Sequence, residues 1–392
     1  MKYFGNSSVL HPESNRGMKK DFLQNIRKYT MLIALVGIWL IFTVLTQGIF
    51  LSPRNLSNLF LQTAAVAVIT IGMTLIIVTR NIDLSVGSVA ALAGAAAAYL
   101  NVKLGWPADL SVLSAIGLGL LIGAWHGFWI AYRMVPAFIV TLASMMIFRG
   151  AVLGITQGAT IAPLSAGFKS IGQHYLSPHL SIWLALATIL AYIGVTAYKR
   201  IKRLKFGFPV KSLPLEILKV GLISCAIAAF FLILIQNRGV PYAVLLVMGL
   251  AVVFNFMAQN MVFGRQLYAI GGNPDAATLS GINIERRIMA LYVIFGALTA
   301  VGGLVLTARL NAATTSAGQG MELDVIAAAV IGGTSLMGGE GTIIGSVVGA
   351  LIMASLDNGM SLMDTNITYQ YIIKGLILLL AVWVDIATRR RT

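Results

Sequence analysis

The chain is 392 residues long, 58% hydrophobic and only 10% charged, with a mean hydropathy of +0.87. Soluble domains carry roughly 25% charged residues, so the composition excludes an ordinary water-facing surface and predicts an all-α polytopic membrane protein. The net charge of +15 would point to nucleic acid in a soluble protein; here it reads as the Lys/Arg excess of cytoplasmic loops, and no nucleic-acid partner is expected.

Residues 1–29 are polar and basic and read as a cytoplasmic tail. A transmembrane region over 30–388 follows, and 389–392 form a cytoplasmic C-terminus. The run 30–50 is long enough to cross a bilayer, which takes about 20 residues, and the Gly48–Arg54 stretch after it lacks a cleavage-site pattern. It reads as a signal anchor. Further apolar runs fall at 58–79, 84–100, 110–132, 136–156, 180–198, 213–236, 240–260 and 289–310. Shorter ones follow at 324–337 and 341–357, and a last one at 369–387. Alternation from an inside start gives twelve segments. Of the 28 basic residues, 20 then lie inside and four in outside loops, as the positive-inside rule requires.

The runs 324–337 and 341–357 are short for full spans and are joined by Met337-Gly-Gly-Glu-Gly341. Irregular backbone at membrane depth is tolerated where protein or a water-filled cavity covers it, so a short-helix hairpin or re-entrant pair is expected there. Small-residue runs, Ala90–Ala98 and Ile343–Ala354, predict close helix–helix contacts. Ile82-Asp-Leu-Ser-Val-Gly87 and Leu323-Asp-Val-Ile-Ala-Ala328 each set an aspartate before a small-residue helix, on opposite sides of the predicted topology, as an inverted repeat would.

The longest stretch of mixed polarity in the second half is Phe263–Arg287, within a cytoplasmic loop spanning 261–288. Asn273 suits an N-cap, Pro274 the first helical position, and Asp275 the positive end of the helix dipole. Gly281 supplies a left-handed stop. Asn273, Pro274, Asp275, Ala276, Ala277, Thr278, Leu279, Ser280 and Gly281 thus form a capped helix with no lipid to cross, shaped for docking in water.

The chain lacks P-loop machinery to hydrolyse ATP. No Gly-Lys dipeptide occurs, so there is no P-loop, and HExxH, CxxC and GxSxG are also missing. It reads as a non-enzyme that binds no cofactor or metal, its single Cys225 being inert. His126, in an aromatic Trp125–Trp129 patch, reads as a packing residue, and Arg149 and Arg309 as snorkelling ones. The acids lie mostly near predicted helix ends. Glu340 and Asp357, with Asn358, are the candidates for a translocation path.

Asp275-Ala276-Ala277 followed by Gly281 resembles the EAA-type signature of ABC importer permeases, with Asp275 in place of the usual Glu. The string Tyr268–Arg286 is similar to the ribose/xylose/arabinose branch of sugar permeases. Further matches are Val135–Ala143, Phe148–Gly150, Ala327–Leu336, Ala354–Asp364 and Gly375–Trp383. The resemblance implies a type II ABC importer permease fold with a ten-helix core, the run 180–236 being an added pair. It also implies a permease homodimer in the bacterial inner membrane, an ABC ATPase that uses ATP and docks on the 273–281 helix, and a periplasmic sugar-binding protein delivering a pentose, foremost D-xylose. A stand-alone ion-coupled sugar transporter is the alternative, and a non-transporting scaffold a third class.

Overall fold

A computed structural model describes residues 31–210 and 212–389; the predicted N-terminal tail and residues 390–392 lie outside them. The described residues are overwhelmingly helical. Nine helices among them are long and apolar enough to cross a membrane, and Met31–Leu45 and Ile367–Trp383 are shorter apolar helices.

The described residues open with α1 (Met31–Leu45) and a tight turn at Ile49–Leu51. Ser52 then caps α2 (Pro53–Val78), its side chain accepting from the Asn55 amide, with Pro53 at the first position. This cap starts the helix five residues before the apolar run does, because Pro53 and Arg54 carry no apolar signal. α3 (Val86–Ala98) and α4 (Ala108–Gly127) each run on into a wide turn, Tyr99–Lys103 and Phe128–Tyr132. α5 (Ala137–Thr156) and the short α6 (Ala166–Gln173) follow. α7 (Pro178–Lys205) and α8 (Leu213–Asn237) pack on each other at the periphery, where Arg200 pairs with Glu216. α9 (Tyr242–Asn260), α10 (Val262–Gly272) and α11 (Pro274–Leu279) lead to the long α12 (Ile284–Leu310). α13 (Met321–Ile331), α14 (Ile343–Leu362) and α15 (Ile367–Arg389) complete the bundle.

The core lies around α2 and α12. The most apolar stretch of α2 is 89% buried within the protein, so this helix meets neighbours on all sides. Lipid offers helices no hydrophobic reason to associate, and close contact depends on small residues. At Gly303 on α12 a Cβ would sit 2.7 Å from backbone atoms of Ala90 on α3. At Gly349 on α14 one would sit 2.9 Å from the Ala328 carbonyl carbon on α13. Both predicted small-residue runs therefore lie in helix contacts.

Two helices are broken in the same way. After α2 the chain runs without helix through 79–85 before α3 starts; after α12 it does so through 311–320 before α13. Val78, at the end of α2, lies beside Gly271 at the α10–α11 end of the molecule, and Ala308–Arg309, near the end of α12, lie against Gly172 of α6. The broken stretches enter from opposite ends and meet where α3 begins, Gly87 against Gly318 three residues before α13. The geometry matches the inverted relation that the two aspartate strings suggest.

One boundary differs from the sequence expectation. α13 is short, 11 residues, but its hairpin partner α14 is a full 20-residue helix, not a short one. The apolar run 341–357 stops at Asp357, whereas the helix continues to Leu362 because Asp357 and Asn358 find partners on neighbouring helices.

Candidate functional site

At the α10–α11 end, α11 has the capping that its residues dictate. The Asn273 side chain accepts from the Ala276 amide at 3.1 Å. At the other end Gly281 N–H donates to Thr278 O and Ile282 N–H to Ala277 O, the paired bonds of a Schellman stop. Gly281 has φ +79°, and a Cβ there would meet nothing within 4 Å. Glycine is needed for the backbone angle and not for space. Ala277 is 3% exposed and pins the helix, while Asp275, Ala276, Thr278, Leu279 and Ser280 face out. Leu279 is 90% exposed, the highest value among the large apolar side chains of the described residues.

The corner that carries α11 is fixed to the core. Arg80, just after α2, donates from Nε to Gly271 O at 2.6 Å and from Nη2 to Gly272 O at 2.8 Å. Gly339 N–H, in the α13–α14 turn, donates to Val78 O at 2.8 Å. Tyr268 OH donates to Gly341 O at 2.9 Å, and burial pushes its phenol up to about 12, which keeps the donor proton in place.

A second, half-buried constellation lies between α13, α14 and α15. Lys374 of α15 places Nζ 3.0 Å from Asp324 Oδ2 on α13 and 2.8 Å from Asp357 Oδ1 on α14. The opposite half of the inverted pair carries a counterpart. Asp83, 1% exposed in the broken stretch after α2, lies 3.6 Å from His126 Nδ1 on α4, and its Oδ1 accepts from Ser85 N and Oγ. Arg149 of α5 donates to Thr315 O and Ala317 O, holding the second broken stretch. Arg149 is thus a bonded residue and not a snorkelling one. Among the described residues no group of three or more His, Cys, Asp or Glu could hold a metal ion.

The three path candidates are not brought together. Asp357 joins the lysine cluster. The Asn358 amide exchanges two hydrogen bonds with Asn55 of α2, at 2.8 and 3.1 Å, and is 6% exposed. Glu340 is exposed in the α13–α14 turn, beside Gly341 and the Tyr268 hydroxyl that bonds it. Sequence reading missed Lys374, Asp324 and the Asp83–His126 pair, whose partners lie 50 and 43 positions apart. The one available signal was that Lys374 and His126 are ionisable residues inside apolar runs, where such residues need partners.

The chain matches the family model described as branched-chain amino acid transport system / permease component over residues 55–382. It is 47% identical to the xylose transport system permease protein XylH of Escherichia coli (strain K12), over 94% of each chain. The corresponding Haemophilus influenzae protein is 45% identical, over 94% of this chain and 98% of that one. The ribose import permease protein RbsC of Escherichia coli (strain K12) is 35% identical, over 90% and 92%. No solved structure matches the chain. The broken helices, the small-residue contacts and the near-complete overlap with these permeases agree: the chain is a multi-pass membrane protein and belongs to the branched-chain amino acid transport system / permease component family.

Proposed function

We propose that this chain is the membrane-spanning subunit of an ATP-driven pentose importer, with D-xylose as the foremost substrate. The observation that carries this reading is α11, an exposed helix capped at both ends, in a chain without a P-loop and near half identical to permeases named for xylose. A helix of this kind needs a partner, and an ABC ATPase using ATP is the partner that fits. Two copies of the permease would enclose the path, and a periplasmic sugar-binding protein would deliver sugar to it. In this arrangement both termini and the 261–288 loop face the cytoplasm of a bacterium, and the chain sits in the inner membrane. Binding and hydrolysis of ATP in the partner displace α11, and the bundle rocks between outward and inward states.

The test is uptake of labelled D-xylose into proteoliposomes with the permease alone and with its ATPase and binding protein. Uptake is expected only with both partners and ATP. A second reading, stand-alone ion-coupled transport, draws on the half-buried Asp324–Lys374–Asp357 cluster, since ionisable groups within membrane helices often mark ion paths. Uptake by the chain alone, abolished by an ionophore, would establish that reading and overturn the first.

A further inference from the structure

The Lys374 cluster borders a cavity of about 130 Å³ between α13, α14 and α15, lined among others by Gln319, Asp324, Gln370, Tyr371, Lys374 and Gly375. We propose that this cavity is a transient binding site in the permease for one small neutral polyol, a role that rests on the transport reading above.

The chemistry favours a polyhydroxyl ligand. An ammonium carries three N–H donors; Lys374 gives one to Asp324 and faces Asp357 as an ion pair, which leaves donor capacity for a ligand. Asp324 engages Lys374 through Oδ2, which leaves Oδ1 to accept. The Gln370 amide is fixed by a 2.9 Å bond from Nε2 to Thr365 O, and Gln319 and the Tyr371 hydroxyl add groups that both donate and accept. The Tyr371 ring lies against Gly320, with Cε1 3.6 Å from where a Cβ would be, and is 52% exposed, offering an apolar face to the C–H side of a sugar ring. Two carboxylates against one lysine repel an anionic ligand, so the site disfavours carboxylates and phosphates. At about 130 Å³ the cavity is several times the roughly 10–15 Å³ that one water occupies by the same measure, room for one small polyol.

The position suits a path. Gln319 and Gly320 end the second broken stretch, which Arg149 holds, and α13 begins three residues after Gly318 meets the start of α3. Non-helical backbone at such a level belongs beside a cavity. A shallow site on it binds weakly enough to release, as conduction requires.

The test uses Gly375, where a Cβ meets nothing within 4 Å. In a Cys225→Ser background, Gly375→Cys is alkylated with a maleimide in the complex reconstituted with the ATPase and binding protein. D-xylose at a concentration filling two-thirds of the sites should slow alkylation about threefold by mass action, and sucrose should not. Gly375→Leu, which fills the cavity, should cut uptake by about tenfold while the ATPase still co-purifies. If wild type takes up xylose but alkylation is unprotected, or sucrose protects equally, or Gly375→Leu transports at the wild-type rate, this proposal falls and the transport reading stands. If wild type with both partners takes up no xylose, both fall. Should Gly375→Leu fail to assemble, cysteine protection alone decides.

Discussion

Leu279 gives the sharpest test of the docking role of α11. Its side chain is 90% exposed in the permease, so trimming it to alanine leaves the fold untouched, within about 0.5 kcal/mol. If α11 docks into an ATPase groove, the same side chain becomes buried there. Leu279→Ala then removes three carbons from an apolar contact, about 2 kcal/mol at roughly 0.8 kcal/mol per methylene. That is about a 30-fold rise in Kd. The assay is equilibrium binding of the ATPase to detergent-solubilised permease, run beside the thermal midpoint of the permease alone. Weakened binding with an unchanged midpoint is expected. An affinity within about threefold of wild type, near 0.6 kcal/mol, would refute docking through this face. Gly281→Val is the complementary variant. It meets no neighbouring atom but forces a β-branched residue into the left-handed region, at roughly 1–2 kcal/mol, and should weaken the ATPase by loosening the stop of α11.

Two further outcomes follow from the packing. Asn55→Ala or Asn358→Ala leaves one buried amide without its partner, at roughly 1–3 kcal/mol. The double variant should cost less than the sum of the two, read as a non-additive shift in thermal midpoint across a double-mutant cycle. Gly303→Leu places a side chain against the Ala90 backbone and should abolish the monodisperse detergent-solubilised species, whereas Gly249→Ala, which meets nothing within 4 Å, should match wild type or exceed it by up to about 1 kcal/mol. A stable Gly303→Leu would show that α3 and α12 are not in contact.

The parts of this molecule with a local signal were legible in the sequence. Long apolar runs marked the spanning helices, and Asn273, Pro274 and Gly281 marked both ends of α11 because capping depends on neighbours within a few positions. The broken stretches 79–85 and 311–320 left little trace. Their polar residues, Arg80, Asn81 and Asp83 in one and Asn311 and Gln319 in the other, read as ordinary loops between runs, and nothing local shows that distant groups such as Arg149 hold the backbone. Asp83 illustrates the limit. It looks like a helix-end acid in its own segment, and only packing against α4 reveals that it is buried beside His126. Lys374 is similar: its two carboxylates come from separate helices, so no spacing announces them.

The bonds around Arg80 also say something about stiffness. The α10–α11 corner is tied to the region just after α2 by two guanidinium bonds, and the end of α2 and α10 are each tied to the α13–α14 turn by one more, through Val78 and Tyr268. Sliding the corner past these neighbours would break three of the four, all but the Gly339–Val78 bond, at roughly 3 kcal/mol or about 1 kcal/mol each. Rotating it together with them breaks none. A push on the corner is therefore transmitted rather than absorbed. The lever that moves includes the lower end of α2, which runs through the centre of the bundle, and the turn that joins α13, the half-helix bearing Asp324, to α14.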